Sequence, residues 1–253
     1  MKYRIIVDSC CELPKIYEQD ERIDVVPVGD DNADYVSGYI KAYETDADRI
    51  IVFTVSSKIS ESYKAAMEAR HIYLSERKKQ EETLKKIFVC DTKTASAGQT
   101  QLVLKCIEYI KEGYSFNDMC VRLMCYRNQL KTYFIVDNTD KLVTKLGMEN
   151  AKASDSGKSK MKAIISSLDG ELVKVAQGFG VKRAIDKMID CIKENVGCDE
   201  ERTIIISQHK ASKQAHELKE ILEKQYTKCK IIILDAVGTG VSYAFDGGVM
   251  VTI

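Results

Sequence analysis

The chain has no tryptophan, only two prolines and three histidines, and no net charge. Its 38 Lys and Arg balance 38 Asp and Glu, so it lacks the basic excess that marks a nucleic-acid footprint. No apolar run approaches the roughly 20 residues that span a bilayer. Met1-Lys2-Tyr3-Arg4 leads straight into a strand pattern and does not read as a secretory leader. The nine cysteines include no Cys-x-x-Cys pair, which excludes the common zinc and thioredoxin-like spacings. Cys90, Cys106, Cys120, Cys125, Cys191 and Cys229 lie in apolar stretches and read as buried reduced thiols. Cys10-Cys11 follows a strand and is a candidate for a cleft. His71, His209 and His216 do not form a Ser-His-Asp arrangement by spacing. The expectation is a cytoplasmic protein with no metal and no cofactor.

What is present is an alternation of strand and helix patterns. Tyr3–Val7, Ile23–Val28, Arg49–Val55, Ile87–Cys90 and Thr132–Val136 read as strands. Ser60–Lys79 and Ser96–Lys111 read as helices, and Ser115 with Asp118 opens another as a capping box. Such alternation predicts a mostly parallel sheet covered by helices.

After Asp137 the pattern changes. Asn138–Gly147 reads as a short polar helix and Ala151–Lys160 as a loop. Met161–Leu168 and Glu171–Ala176 flank Asp169-Gly170, a hairpin signal. Val181–Asn195 and Ala211–Tyr226 read as helices. Thr203–Ser207, Cys229–Leu234 and Val249–Ile253 read as strands. The predicted fold is two α/β domains, residues 1–141 with a mostly parallel sheet and residues 142–253 with a mixed one. A ligand cleft is expected between them.

Two phosphate-binding patterns fail on inspection. Gly157-Lys158-Ser159 lacks the upstream glycine and strand of a P-loop, and Gly238-Thr239-Gly240 has Tyr243 where the dinucleotide fingerprint needs glycine. Small polar residues instead cluster past three strand ends: Asp8-Ser9, Ser56 to Ser62, and Asp91-Thr92 with Ser96. Ligands of open α/β sheets bind outside the carboxyl ends of strands. Serines at a helix start either cap it or help hold an anion. With no metal-ligand set and no evident nucleophile–base pair, this cluster suits binding without chemistry.

Ile5-Ile6-Val7-Asp8-Ser9-Cys10-Cys11-Glu12-Leu13-Pro14, Val25-Val26-Pro27-Val28, Ser56-Ser57-Lys58-Ile59-Ser60-Glu61-Ser62-Tyr63 and Asp91-Thr92-Lys93-Thr94-Ala95-Ser96-Ala97-Gly98 together resemble the DegV family of bacterial fatty-acid-binding proteins. Leu168-Asp169-Gly170-Glu171-Leu172 and Lys182-Arg183-Ala184 fall where that family has comparable elements. The resemblance implies a long-chain fatty acid in an apolar tunnel between two domains, no catalysis, and a protein partner such as a fatty-acid kinase. It implies a head group held by the hydroxyl of Ser60, with Ser62, Ser96 and Ser9 as further candidates.

The chain departs from that family at several points. Only Gly29–Asp48 stands where the family has a longer segment ending in Thr-Ser-Gln-Pro. The family's Gly-Thr is Glu61-Ser62, its Gly-Gly-Arg motif is missing near Lys145-Leu146-Gly147-Met148, and Ala244-Phe245-Asp246-Gly247-Gly248 replaces a histidine motif. Burying the roughly 15 carbons of a 16-carbon chain is worth about 12 kcal/mol before ordering costs. One head-group hydrogen bond is worth about 1–3 kcal/mol, so apolar burial outweighs these losses. The competing expectations are a divergent DegV-like protein that has lost lipid and acts through protein partners, and a dihydroxyacetone-kinase-like enzyme.

Overall fold

The computed structural model describes residues 2–27, 32–136, 160–197, 201–236 and 248–253. Most of residues 138–160, including the expected short helix and loop, and residues 238–247 lie outside the described residues.

Four strands form the first sheet: β1 (Tyr3–Asp8), β2 (Ile23–Val26), β3 (Arg49–Thr54) and β4 (Lys86–Asp91). Their order is β2-β1-β3-β4 and every pairing is parallel. Both faces are covered, so these strands are apolar on both sides. Ile6, Ile50 and Val52 pack under α1 (Asn32–Tyr43) and α2 (Ser62–Lys79). Ile5, Val7, Ile51 and Phe53 pack under α3 (Ala97–Lys111) and α4 (Phe116–Gln129).

Helix α1 was not expected in the span 29–48. Val36, Tyr39 and Tyr43 follow a helical i, i+3, i+7 spacing and are buried against α2. Tyr43 donates to the carbonyl of Ala66 at 2.9 Å. The tyrosines supply the apolar face, while the interior Gly38 weakens the local helix signal.

The second sheet has six strands in the order β7-β6-β5-β10-β8-β9. They are β5 (Thr132–Val136), β6 (Met161–Leu168), β7 (Glu171–Phe179), β8 (Thr203–Gln208), β9 (Lys230–Asp235) and β10 (Val249–Thr252). Only β8 and β9 pair in parallel, so the sheet is mixed as expected. Helices α5 (Gly180–Asn195) and α6 (Ser212–Gln225) cover one face through Ile185, Met188, Leu218 and Leu222.

Strand β5 belongs to this second sheet, paired with β6 and β10. The expected boundary at 141/142 would group it with the first four strands, and its hydrogen bonds do not. We place the division between α4 and β5.

Helix α3 lies between the two sheets. Its Leu102 and Cys106 face the first core, while Ala97 and Leu104 face Phe134, Ile205 and Met250 of the second sheet. This double contact buries Ala97 through Val103 without a break. Among the thiols, Cys10, Cys11, Cys90 and Cys106 are buried. Cys125 is exposed, contrary to expectation, because α4 turns it away from the core. No described helix is long and apolar enough to cross a membrane.

Candidate functional site

The carboxyl ends of the first sheet converge on Asp8, which is fully buried at the end of β1. Its Oδ2 accepts from the Val55 amide at 2.7 Å and the Ser62 hydroxyl at 2.8 Å. Its Oδ1 accepts from Gln99 Nε2 at 2.9 Å and the Cys10 amide at 3.2 Å. Burial raises the Asp8 pKa, and the four donors oppose that shift. One carboxylate thus joins the loop after β1, the end of β3 and the starts of α2 and α3.

On the α2 side the serines divide their work. Ser56 donates to the Gly170 carbonyl at 2.7 Å, and Ser57 donates to Asp91. Ser62 gives its proton to Asp8 and accepts from the Tyr39 hydroxyl at 2.7 Å. Ser62 is therefore a structural linker, and α1 supplies its second partner. Ser60 is half-buried and its Oγ accepts from the Ser62 amide at 3.2 Å, which leaves its own proton available to donate. Glu61 points to solvent and pairs with Lys64 at 3.1 Å, so its charge does not enter the site. Ser9 is half-buried, and its amide donates to the Val26 carbonyl at 2.9 Å.

On the α3 side, Ser96 heads the helix at φ 53° and ψ −119°, a backbone region that side chains other than glycine seldom adopt. Its amide donates to Gln99 Oε1 at 3.1 Å, which ties it to Asp8. Its hydroxyl is buried, as are both carboxyl oxygens of Glu12. Burial raises the Glu12 pKa, opposed by the nearby hydroxyls of Ser207 and Ser96. Sequence reasoning missed Glu12 and Ser207, because only the packing of β8 across the first unit makes them neighbours.

A carboxyl whose pKa is raised on folding contributes its stability in full below the unfolded value and loses it as pH rises through the folded one. For Glu12 that loss begins above an unfolded value near 4.5. Glu12→Gln is neutral throughout. It is expected to be more stable than wild type at about pH 8 and to lose that advantage near pH 4. Urea unfolding at both pH values checks this. An identical difference at both would mean that Glu12 ionises as freely in the fold as in the unfolded chain.

The site holds hydroxyls, amides and two buried acids, Asp8 and Glu12, and no group of metal-binding side chains occurs among the described residues. His71 and His216 are exposed, and His209 lies just past β8 with its amide on the Gly248 carbonyl at 3.3 Å. Crevices of about 340, 650 and 330 Å³ occur elsewhere, and none is lined by Ser9, Ser60, Ser62 or Ser96.

Two α/β units joined through a buried helix, one built on a parallel sheet and the other on a mixed one, define a two-domain α/β class of protein. A family model described as an uncharacterised protein of the DegV family matches residues 30–252, and the chain belongs to that family. A DegV domain-containing protein of Streptococcus gordonii is 24% identical over 214 residues, covering 84% of this chain and 73% of its own. A DegV family structure from Ruminococcus gnavus, refined with vaccenic acid, is 26% identical with a TM-score of 0.85 and covers 100% of both chains. The Streptococcus pneumoniae Fatty Acid Kinase (Fak) B3 protein, loaded with linoleic acid, shares the fold at 21% identity and a TM-score of 0.86, covering 100% of this chain and 99% of that one.

Proposed function

We propose that this chain binds a long-chain fatty acid between its two α/β units and holds it without altering it. The observation that carries this reading is the likeness over the full chain to the Ruminococcus gnavus protein refined with vaccenic acid. The site chemistry agrees with it, since hydroxyls and helix-start amides bind a carboxylate without activating it. Delivery of the lipid to a kinase partner is the natural use of such a carrier, and the likeness to Fak B3 supports it.

Ser60 is our choice for the head-group donor. Of the four candidate serines, it combines partial exposure with a proton left to give. Ser62 has spent its proton on Asp8. A hydrogen bond to a charged group is worth about 1.5–3 kcal/mol. Ser60→Ala is therefore expected to weaken fatty-acid binding about 10- to 100-fold. Titration of a fluorescent fatty acid into both proteins measures this. Unchanged affinity would remove Ser60 from the site.

A further inference from the structure

Ser60 sits on the short turn between β3 and α2, and both ends of that turn are anchored. At the leading end the Ile59 and Ser60 amides donate to the Ser56 carbonyl at 2.9 and 3.1 Å. The Ser56 hydroxyl is itself fixed, donating to the Gly170 carbonyl at 2.7 Å and accepting from the Lys58 amide at 3.2 Å. At the trailing end the Ser60 hydroxyl oxygen accepts from the Ser62 amide at 3.2 Å. That amide is among the first N–H groups of α2, which have no partner within the helix. The bond turns a lone pair of Ser60 toward the helix and leaves its proton to be given elsewhere.

The Ser60 hydroxyl therefore takes its orientation from Ser62. Ser62 is fully buried, and its own hydroxyl works in both directions. It donates to Asp8 at 2.8 Å, so the Tyr39 hydroxyl, at 2.7 Å on its other side, is the donor to it. Tyr39 is fully buried on α1, in the core it shares with Ala65 and Ala66 of α2, and its ring stacks on Tyr43 with centroids 6.4 Å apart. Burial pushes the Tyr39 phenol well above its usual pKa, so it keeps its proton at neutral pH. The protons thus run one way, from Tyr39 to Ser62 to Asp8, and in such a chain each bond strengthens the next.

Without the Tyr39 hydroxyl, Ser62 has one side-chain anchor in place of two. Its vacated lone pair then lies two residues from the Ser60 proton and competes for it, and the first turn of α2 is freer to shift. Both changes fall on the Ser60 hydroxyl. Neither alters the apolar burial of a lipid chain.

We propose that Tyr39 is a positioning residue for the head group: through Ser62 it holds the Ser60 hydroxyl in the orientation that donates to the ligand carboxylate. This rests on the fatty-acid reading with Ser60 as donor, and it gives α1 a part in binding without contact with the lipid. A binding group is placed accurately only when its neighbours lock its rotamer.

The test is a double-variant cycle, read by calorimetric titration of palmitate into the delipidated full chain as wild type, Tyr39→Phe, Ser60→Ala and the two combined. Tyr39→Phe keeps the buried ring and removes one oxygen. It is expected to weaken palmitate binding about 3- to 10-fold in the wild-type background, and less than about twofold where Ser60 is already replaced. The same fold loss in both backgrounds, or no loss in either, overturns the inference and leaves fatty-acid binding intact. If Tyr39→Phe does not fold, Ser62→Ala takes its place in the cycle, and the same comparison decides. Unchanged affinity of Ser60→Ala removes Ser60 from the site and the inference with it. No palmitate binding by the wild type removes the fatty-acid reading itself.

Discussion

Asp8→Ala is expected to lower the stability of the fold by about 3–5 kcal/mol. The side chain is fully buried and accepts four hydrogen bonds, from Val55, Ser62, Gln99 and Cys10. Alanine would leave four donors without an acceptor, and each buried unsatisfied group costs about 1–3 kcal/mol. Part of that cost is recovered by local collapse and by the carboxyl no longer being held in a poorly solvated place. Asp8→Asn keeps one carbonyl oxygen but turns an amide toward two donors, so an intermediate loss is expected. Urea unfolding of the three proteins at neutral pH measures both steps. A loss below about 1 kcal/mol for alanine would mean that the donors find other partners and that Asp8 does not tie the strand ends together.

Gly170→Val is the second large effect, with an expected loss of about 2–5 kcal/mol. Leu168 pairs with Glu171, so Asp169 and Gly170 form a two-residue turn, with φ of 48° and 90°. Both angles are positive, as a type I′ hairpin turn requires, and valine is poorly suited to them. A Cβ at Gly170 would also stand 2.7 Å from Ser56 Oγ and 3.5 Å from Lys93 Cα. The hairpin tip is clamped to the first unit at this place. Ser56 donates to the Gly170 carbonyl, Ser167 donates to the Lys93 carbonyl at 2.7 Å, and Lys93 pairs with Asp169. Adding Ser56→Ala removes the clash and not the backbone strain, so the double variant is expected to recover only part of the loss. Thermal unfolding of the single and double variants separates the two causes. Full tolerance of valine would show that the hairpin tip is free to move off the serine turn.

Much of this architecture is legible in the sequence, and the reasons are local. The Ile- and Val-rich runs mark strands because both sheet faces are covered. Asp169-Gly170 announces its hairpin through backbone chemistry alone, and Ser115 caps α4 by accepting from the Asp118 amide at 3.2 Å. Pairing is less legible. Phe134 lies opposite Met250, and no local pattern in Thr132–Val136 tells which sheet receives it.

The site shows the same division. Ser60 and Ser96 can be picked out because they stand where strands give way to helices. Ser62 looks equivalent to Ser60 in sequence and differs in the fold, because Asp8 and Tyr39 occupy its hydroxyl. The spacing of Val36, Tyr39 and Tyr43 was the available signal for α1, and so for that partner. Glu12 reads as an ordinary charged residue in a turn. Its burial is created by packing within the first unit and against the second sheet, which no short window of sequence contains.

The central claim is that the two units enclose a fatty acid. Native mass spectrometry of the chain freshly purified from bacteria, followed by solvent extraction and lipid identification, tests it most directly. The account predicts one fatty acid per chain, released on denaturation and rebound by the stripped protein. A bare polypeptide mass that stays unchanged after incubation with long-chain fatty acids would contradict it.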